Sequence, residues 1–193
     1  MRVLLIFGMF ASWWKPCFGD VLPLGYKLRE ALPNRWFRIH SLPGSKRYAE
    51  KQSERRILLD RQRRLASRVL PDQSRCFVVV PRYQKLSRGA PGRVPEMEDA
   101  QFSCESRGKL HADSKGDDVW FLVSTQQWDF AVAERALLAI AEDRLRAVWV
   151  NCQTSEIFAP YDGGVDVILA SSRRRDAVKS EFAKWLSPRS DGL

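Results

Sequence analysis

The chain has 193 residues, of which 45% are hydrophobic and 28% are charged, and its formal net charge is +9. This length suits one domain with a substantial apolar core. The arginine excess favours contact with phosphates, acidic proteins or anionic surfaces. The four cysteines are far apart in the sequence and include no C-x-x-C pair, so we predict no metal site and no cofactor.

Residues 1–18 form an apolar segment that allows two interpretations. Arg2 and the apolar run 3–11 resemble the start of a signal peptide, but Trp13 and Trp14 stand where cleavage needs small residues. The run is shorter than the roughly 20 residues that span a bilayer. We interpret the segment as a buried strand or a mis-assigned start and expect a cytoplasmic protein without a membrane span. Export or membrane association through residues 1–18 is the alternative.

The first half of the remaining chain alternates helices and strands. Leucines at helical spacing predict a helix over 24–32, which Pro33 ends. Alternating residues predict a strand over 36–41 that leads into a Pro-Gly turn. The stretch 49–70 lacks Gly and Pro and predicts a helix with an arginine-rich outer face. A buried apolar strand over 75–80 follows.

Residues 85–117 are rich in glycine, proline and acidic residues, and we interpret them as a long surface loop in which 100–104 fits a strand. Beyond this loop, the Asp-Gly-Gly turn at 162–164 is typical of a hairpin, and Asp129 is a typical helix cap. We predict strands there over 119–123 and 147–152, helices over 129–141 and 174–186, and a hairpin over 156–169.

These elements predict an α+β fold with a mixed, largely antiparallel central sheet of about five to seven strands and flanking helices. Short turns between the C-terminal strands disfavour a parallel βαβ fold. We therefore expect residues 19–193 to form a single domain with a long loop around 85–117.

The first candidate site is the polar stretch 35–48, where cations and hydroxyl groups surround a Pro-Gly turn. Guanidinium and hydroxyl groups together could hold a phosphate or carboxylate. Alternatively, the serines serve the turn and the cations cover an acidic surface. Trp128 follows a predicted strand and could line a shared cleft with this turn. The predicted binding residues, for an anion or a partner, are Arg35, Arg38, His40, Ser41, Ser45, Lys46, Arg47, Tyr48 and Trp128.

His40 titrates near neutral pH and could act as a general base, but a lone histidine on a strand is more often structural. We therefore name no catalytic residue and lean towards a protein that is not an enzyme. An enzyme acting on a phosphorylated or carboxylated small molecule is one alternative, with Arg38 and Arg47 as anion clamps. It requires Arg38, His40 and Tyr48 to converge in one pocket.

The second candidate site is the arginine-rich helix, which could follow the backbone of RNA or DNA. The competing interpretation is a solvated face with intrahelical pairs such as Asp60 with Arg64. The three consecutive arginines at 173–175 could add to such a surface. The predicted nucleic-acid contacts on the helix are Arg55, Arg56, Arg61, Arg63, Arg64 and Arg68.

The stretch 161–168 resembles the acidic strand of restriction-endonuclease-like nucleases. Those enzymes complete a metal site with a further acidic residue or glutamine and a lysine on the next strand, and residues 169–175 offer no such strand. We therefore interpret Asp162 as a turn residue and Asp166 as an outward-facing strand residue.

The stretches 35–48, 158–169 and 185–188 together resemble a family of small uncharacterised bacterial proteins over residues 19–193. The resemblance implies a bacterial α/β-type protein and no particular chemistry. Our leading hypothesis is a non-enzymatic binding protein that engages an acidic protein partner, as an immunity or accessory factor in a toxin or defence system. RNA or DNA binding is the alternative, and the sequence leaves the oligomeric state open.

Overall fold

The computed structural model describes residues 2–84, 106–112 and 118–192. The helices in these ranges are α1 (Arg2–Phe18), α2 (Gly25–Ala31), α3 (Gln52–Val69), α4 (Phe130–Ala141) and α5 (Ser172–Glu181). The strands are β1 (Trp36–His40), β2 (Arg75–Gln84), β3 (Ser106–Ala112), β4 (Asp118–Gln127), β5 (Val148–Asn151), β6 (Ile157–Tyr161) and β7 (Gly164–Ile168).

The strands form one seven-stranded sheet in the order β1-β7-β6-β5-β2-β4-β3. Each described pair of neighbours is antiparallel, so the α+β class is confirmed and the sheet is antiparallel rather than mixed along its described pairs. The hairpin prediction is confirmed as well, since Tyr161 pairs with Gly164 across a two-residue turn.

Helices cover both faces of the sheet. Because successive side chains of a strand point to opposite faces, Val78 and Val80 pack with α3, α4 and α5, whereas Phe77 and Val79 pack with α1 and α2. The two apolar layers together form the core. No helix in the described part of the chain is long and apolar enough to cross a membrane.

The prediction of a buried strand within residues 1–18 is wrong, because Arg2–Phe18 forms α1. Phe10, Trp14 and Phe18 recur every four residues and pack on one side of this helix, with ring centroids 5.3 and 4.2 Å apart. Trp14 Nε1 also donates to the Val21 carbonyl at 2.7 Å. An apolar run does not by itself distinguish a strand from a helix, and here the aromatic spacing decides.

The predicted loop over 85–117 contains a strand, β3. Gly108, which suggests a loop in the sequence, lies where α1 crosses the sheet, and a Cβ atom there would stand 2.3 Å from Cε1 of Phe7. The glycine therefore serves a close approach within a strand. The strand predicted over 100–104 lies outside the described residues.

Candidate functional site

Strand β5 is shorter than the strands on either side of it, and this leaves a gap in the sheet. β5 pairs with residues 76–79 of β2 and with 157–158 of β6. Both neighbours continue beyond Val148, and no strand of the described residues lies between them there. A cavity of about 250 Å³ opens there, with walls that include Pro81, Tyr83, Ala159 and Tyr161. We call this cavity the notch.

The other walls of the notch come from distant parts of the chain. The start of α2 contributes Gly25 and Tyr26, and the connection between α4 and β5 contributes Asp143 and Arg146. Four further lining residues are charged: Arg38 of β1, Arg47 of the polar stretch 35–48, Asp162 of the hairpin turn and Asp166 of β7.

An ion pair between β1 and β7 forms the floor of the notch. Arg38 and Asp166 stand directly opposite each other in the strand register. Arg38 Nε and Nη2 donate to the two carboxylate oxygens of Asp166 at 2.8 and 2.9 Å, and Trp36 Nε1 donates to Oδ1 at 2.8 Å. The exposed fractions are 12% for the Arg38 side chain and 6% for that of Asp166. The interpretation of Asp166 as outward-facing is therefore wrong.

Burial affects the pKa values of Arg38 and Tyr161, which meet at this floor. Burial alone would lower the pKa of Arg38, but the hydrogen bond and charge of Asp166 outweigh it and raise that pKa. Burial raises the pKa of Tyr161 to about 12. The Arg38 guanidinium carbon lies 4.5 Å from the centroid of the Tyr161 ring, so the tyrosine is a neutral aromatic surface against a cation.

A second pair lies at the rim of the notch. Arg47 Nε donates to Asp162 Oδ2, and Tyr48 Oη donates to the same oxygen at 3.1 Å. Asp162 is buried although it occupies a tight turn. Its carboxylate thus ties the hairpin to the polar stretch 35–48 rather than serving only the turn.

Most other polar groups of the stretch 35–48 hold the chain together. Lys46 Nζ binds Glu54 at 2.8 Å and lowers the pKa of that carboxyl to about 2. Arg35 Nε donates to the Leu169 carbonyl at 2.6 Å. Ser41 is fully buried and accepts from Gln62 Nε2 at 3.2 Å, whereas Ser45 is exposed in the turn. These contacts favour the structural interpretation of the stretch.

The notch does not contain all three residues that the enzyme alternative needs. Arg38 lines the notch, whereas Tyr48 lines a separate small cavity beside Arg55. His40 lines neither, and its buried Nε2 makes no hydrogen bond to the described residues. Neither of these two cavities therefore brings His40, Arg38 and Tyr48 together, and the enzyme alternative stays a prediction.

Trp128 was predicted to line a cleft with the polar stretch, and this prediction is wrong. Its side chain is 1% exposed and packs edge-on against Trp149 and Phe158 in the core, at centroid distances of 5.8 and 5.9 Å. The apolar area of a tryptophan ring outweighs its position at a strand end. Of the predicted residues, only Arg38 and Arg47 line the notch.

Sequence reasoning missed Tyr26, Tyr83, Asp143 and Arg146 as lining residues of one cavity. They come from segments far apart in the chain, and only the strand order brings them together. One signal was available: Asp166 stands between Val165 and Val167, and an acidic residue inside an apolar strand needs a buried partner.

Positive charge is concentrated on α3 and α5. Helix α3 carries six arginines and two acidic residues, and α5 carries four cations and two acidic residues. These helices therefore hold six of the nine excess positive charges of the chain. They lie on the same side of the sheet and meet where Arg68 Nη2 binds Glu181 Oε1 at 2.8 Å. We call their outward surface the basic face.

The predicted nucleic-acid arginines of α3 contact the protein in several ways. Carboxylates bind three of them, since Arg55 pairs with Glu142, Arg64 with Asp60 and Arg68 with Glu181. Arg61 and Arg63 lie over the rings of Trp185 and Phe130, with distances of 5.2 and 4.6 Å to the ring centroids. Arg56 is exposed and makes none of these contacts.

A family model described as a domain of unknown function, DUF3885, matches residues 24–190. The chain belongs to the DUF3885 family. The match begins after α1, as the resemblance that excluded the first residues implied. No curated protein and no solved structure matches the chain.

Proposed function

We propose that this member of the DUF3885 family is a non-enzymatic binding protein whose basic face engages an acidic protein partner. The observation that carries the proposal is the concentration of six of nine excess positive charges on α3 and α5. A surface of one sign attracts a partner of opposite sign and orients it during encounter. The partner would therefore meet this side of the sheet first.

Several arginines of the basic face are held in place before any partner arrives. Arg61 lies over Trp185, Arg63 lies over Phe130, and Glu181 binds Arg68. A side chain that is already ordered loses less conformational entropy on binding. The planar guanidinium keeps further N–H donors that can bind carboxylates in a fork. This preorganisation supports recognition of acidic side chains.

Exposed apolar side chains on the same helical layer favour a protein over a nucleic acid. Ile57 of α3 is 40% exposed and Val132 of α4 is 48% exposed. Interfaces between proteins combine arginine with apolar side chains, and each can bury area against a partner. Phosphate contacts need the cations alone. An experiment must therefore distinguish binding of an acidic protein from binding of RNA or DNA.

The biological role that we propose is that of an immunity or accessory factor in a bacterial toxin or defence system. Such a factor works by stoichiometric binding and needs no reaction of its own. The proposal therefore predicts a partner captured in near-equal amount and selected by charge.

A capture experiment with two matched variants tests the proposal. The tagged chain is incubated with bacterial lysate with and without nuclease, and bound protein and nucleic acid are measured by mass spectrometry and absorbance. R56E/R173E reverses two exposed cations of the basic face. K15E/K27E makes the same charge change on α1 and α2, on the opposite side of the sheet. Residue 173 lies in the first turn of α5, where a glutamate suits the helix dipole, and a thermal unfolding curve of each variant checks that it folds.

We expect a nuclease-resistant acidic protein that K15E/K27E captures normally and R56E/R173E captures at least about tenfold less well. Loss of all bound material after nuclease treatment would instead establish nucleic-acid binding. If both variants capture less of the protein by the same factor, total charge determines capture and the basic face does not. Failure to capture a near-stoichiometric partner would contradict the proposal.

A further inference from the structure

We propose that the notch is a binding site for a small aromatic carboxylate, separate from the basic face. Its volume of about 250 Å³ is below the roughly 300–1,000 Å³ of sites for drug-sized ligands. The cavity therefore suits one aromatic ring with a short polar arm. Because β5 starts late between β2 and β6, the strand order itself creates this space.

The walls of the notch suit an aromatic ring. Tyr26, Tyr83 and Tyr161 come from α2, β2 and β6 and line it from three directions. Tyrosine rings pack edge-on or offset against a further ring. Pro81 and Pro160 occupy the two strands that border the gap, and proline has no N–H that would be left unpaired there. The strands can thus border an apolar ligand without exposing these two donors.

The floor of the notch is already neutral. Arg38 uses Nε and Nη2 on Asp166, and the Asp166 carboxylate accepts three hydrogen bonds. A buried pair that is satisfied in this way needs no charged ligand. The polar arm of the ligand is therefore expected at the rim rather than at the floor.

Two guanidinium groups at the rim can receive a carboxylate. Arg47 binds Asp162 through Nε, which leaves its two terminal nitrogens for a ligand. Arg146 Nη2 lies 3.7 Å from Asp143 Oδ1, beyond hydrogen-bond distance, and the Arg146 side chain is 66% exposed. Guanidinium groups match the fork geometry of a carboxylate. The rim thus supplies the complementary donors.

The charges that line the notch favour a monocarboxylate over a phosphate. Three arginines and three aspartates line it, and each arginine faces one aspartate. A phosphate would bring a second negative charge close to Asp143 and Asp162, and like charges at short range repel. A monocarboxylate uses the rim donors with less repulsion.

Calorimetric titration of the full chain with phenylacetate and its neutral analogue phenylacetamide tests this site. We expect saturable one-to-one binding of phenylacetate at millimolar concentration and at least about tenfold weaker binding of the amide, since charged hydrogen bonds are the stronger ones. R146M should weaken phenylacetate binding several-fold and leave the amide unchanged. The matched control R56M, on the basic face, should change neither.

A second variant, A159V, fills the cavity and keeps every charged and aromatic group. It should weaken both ligands. R146M alters only an exposed side chain, so it keeps the test valid if A159V does not fold. The proposal is overturned if phenylacetate does not saturate, if acid and amide bind equally, or if R146M and R56M behave alike. None of these results bears on partner capture by the basic face.

Discussion

Arg38 in the notch and Arg56 on the basic face use the same side chain in two different ways. The Arg38 side chain is 12% exposed, and the strand register places it opposite Asp166. Arg56 is exposed on α3 and pairs with none of the carboxylates that bind its neighbours. A count of cations therefore does not identify a binding surface, because groups of the protein bind all four cations of the stretch 35–48 whereas Arg56 stays open to another molecule.

The physical reason lies in desolvation. A buried guanidinium is stable only with a partner that satisfies it, and the Asp166 carboxylate is that partner for Arg38. An exposed guanidinium remains hydrated and can stay available for another molecule. Substitutions in the two regions should therefore have effects of different size.

The largest effect is expected for D166A. This variant leaves Arg38 buried without its carboxylate, and it removes the acceptor of Trp36 Nε1. Breaking a buried ion pair in this way costs about 3–5 kcal/mol. The matched control D60A breaks an exposed pair with Arg64 and should change the free energy of unfolding by about 0–1 kcal/mol. Urea denaturation measures both, and similar losses would contradict the comparison.

A smaller loss is expected where the backbones of β1 and β7 meet. A Cβ atom at Gly164 would lie 2.1 Å from the Ile39 carbonyl oxygen, so G164A must displace β1 from β7. We expect a loss of about 2–3 kcal/mol. G8A places its Cβ in open space in α1 and should stabilise the chain by about 0.5–1 kcal/mol. Thermal unfolding of both variants tests this, and equal midpoints would be the contrary result.

The smallest effect is expected from pH. Burial, together with the charges of Arg38 and Arg61, lowers the pKa of His40 below 6.5. The unfolded chain therefore binds this proton more readily than the folded chain does. The contribution of neutral His40 to the free energy of unfolding is complete above pH 6.5. It is lost as the pH falls through 6.5 towards the lower pKa of His40 in the folded chain. The wild-type chain should lose stability in that window, and H40L should lose less, as unfolding titrations at several pH values would show. Parallel curves for the two chains would contradict this assignment.

The sequence predicts the fold well where local chemistry determines each element. Asp129 is a helix cap, and its side chain accepts from the Ala131 N–H at 2.8 Å at the start of α4. The Asp-Gly-Gly turn likewise predicts the hairpin of β6 and β7. In both cases the signal lies within a few neighbouring residues, so no tertiary information is needed.

The sequence predicts the notch poorly because the cavity depends on strand order. Strand β5 pairs with only part of β2 and β6. The space that it leaves between them is lined by Tyr26, Tyr83 and Tyr161, although these residues are far apart in the chain. The same applies to Arg38 and Asp166, whose pairing needs the β1–β7 register. The prediction for Trp128 is wrong for another reason, because its position at the end of a strand does not show whether its side chain is buried.

If the basic face is the recognition surface and Arg38 is structural, binding of a partner should change the accessibility of the first and not of the second. Labelling with an arginine-selective dicarbonyl reagent, read by peptide mass spectrometry, tests it on the free chain and on the chain bound to its captured partner. We expect Arg56 and Arg173 to react in the free chain and to become protected in the complex, whereas Arg38 stays unreactive in both. Continued reactivity of Arg56 and Arg173 in the complex, together with new protection of Arg47 and Arg146, would contradict it.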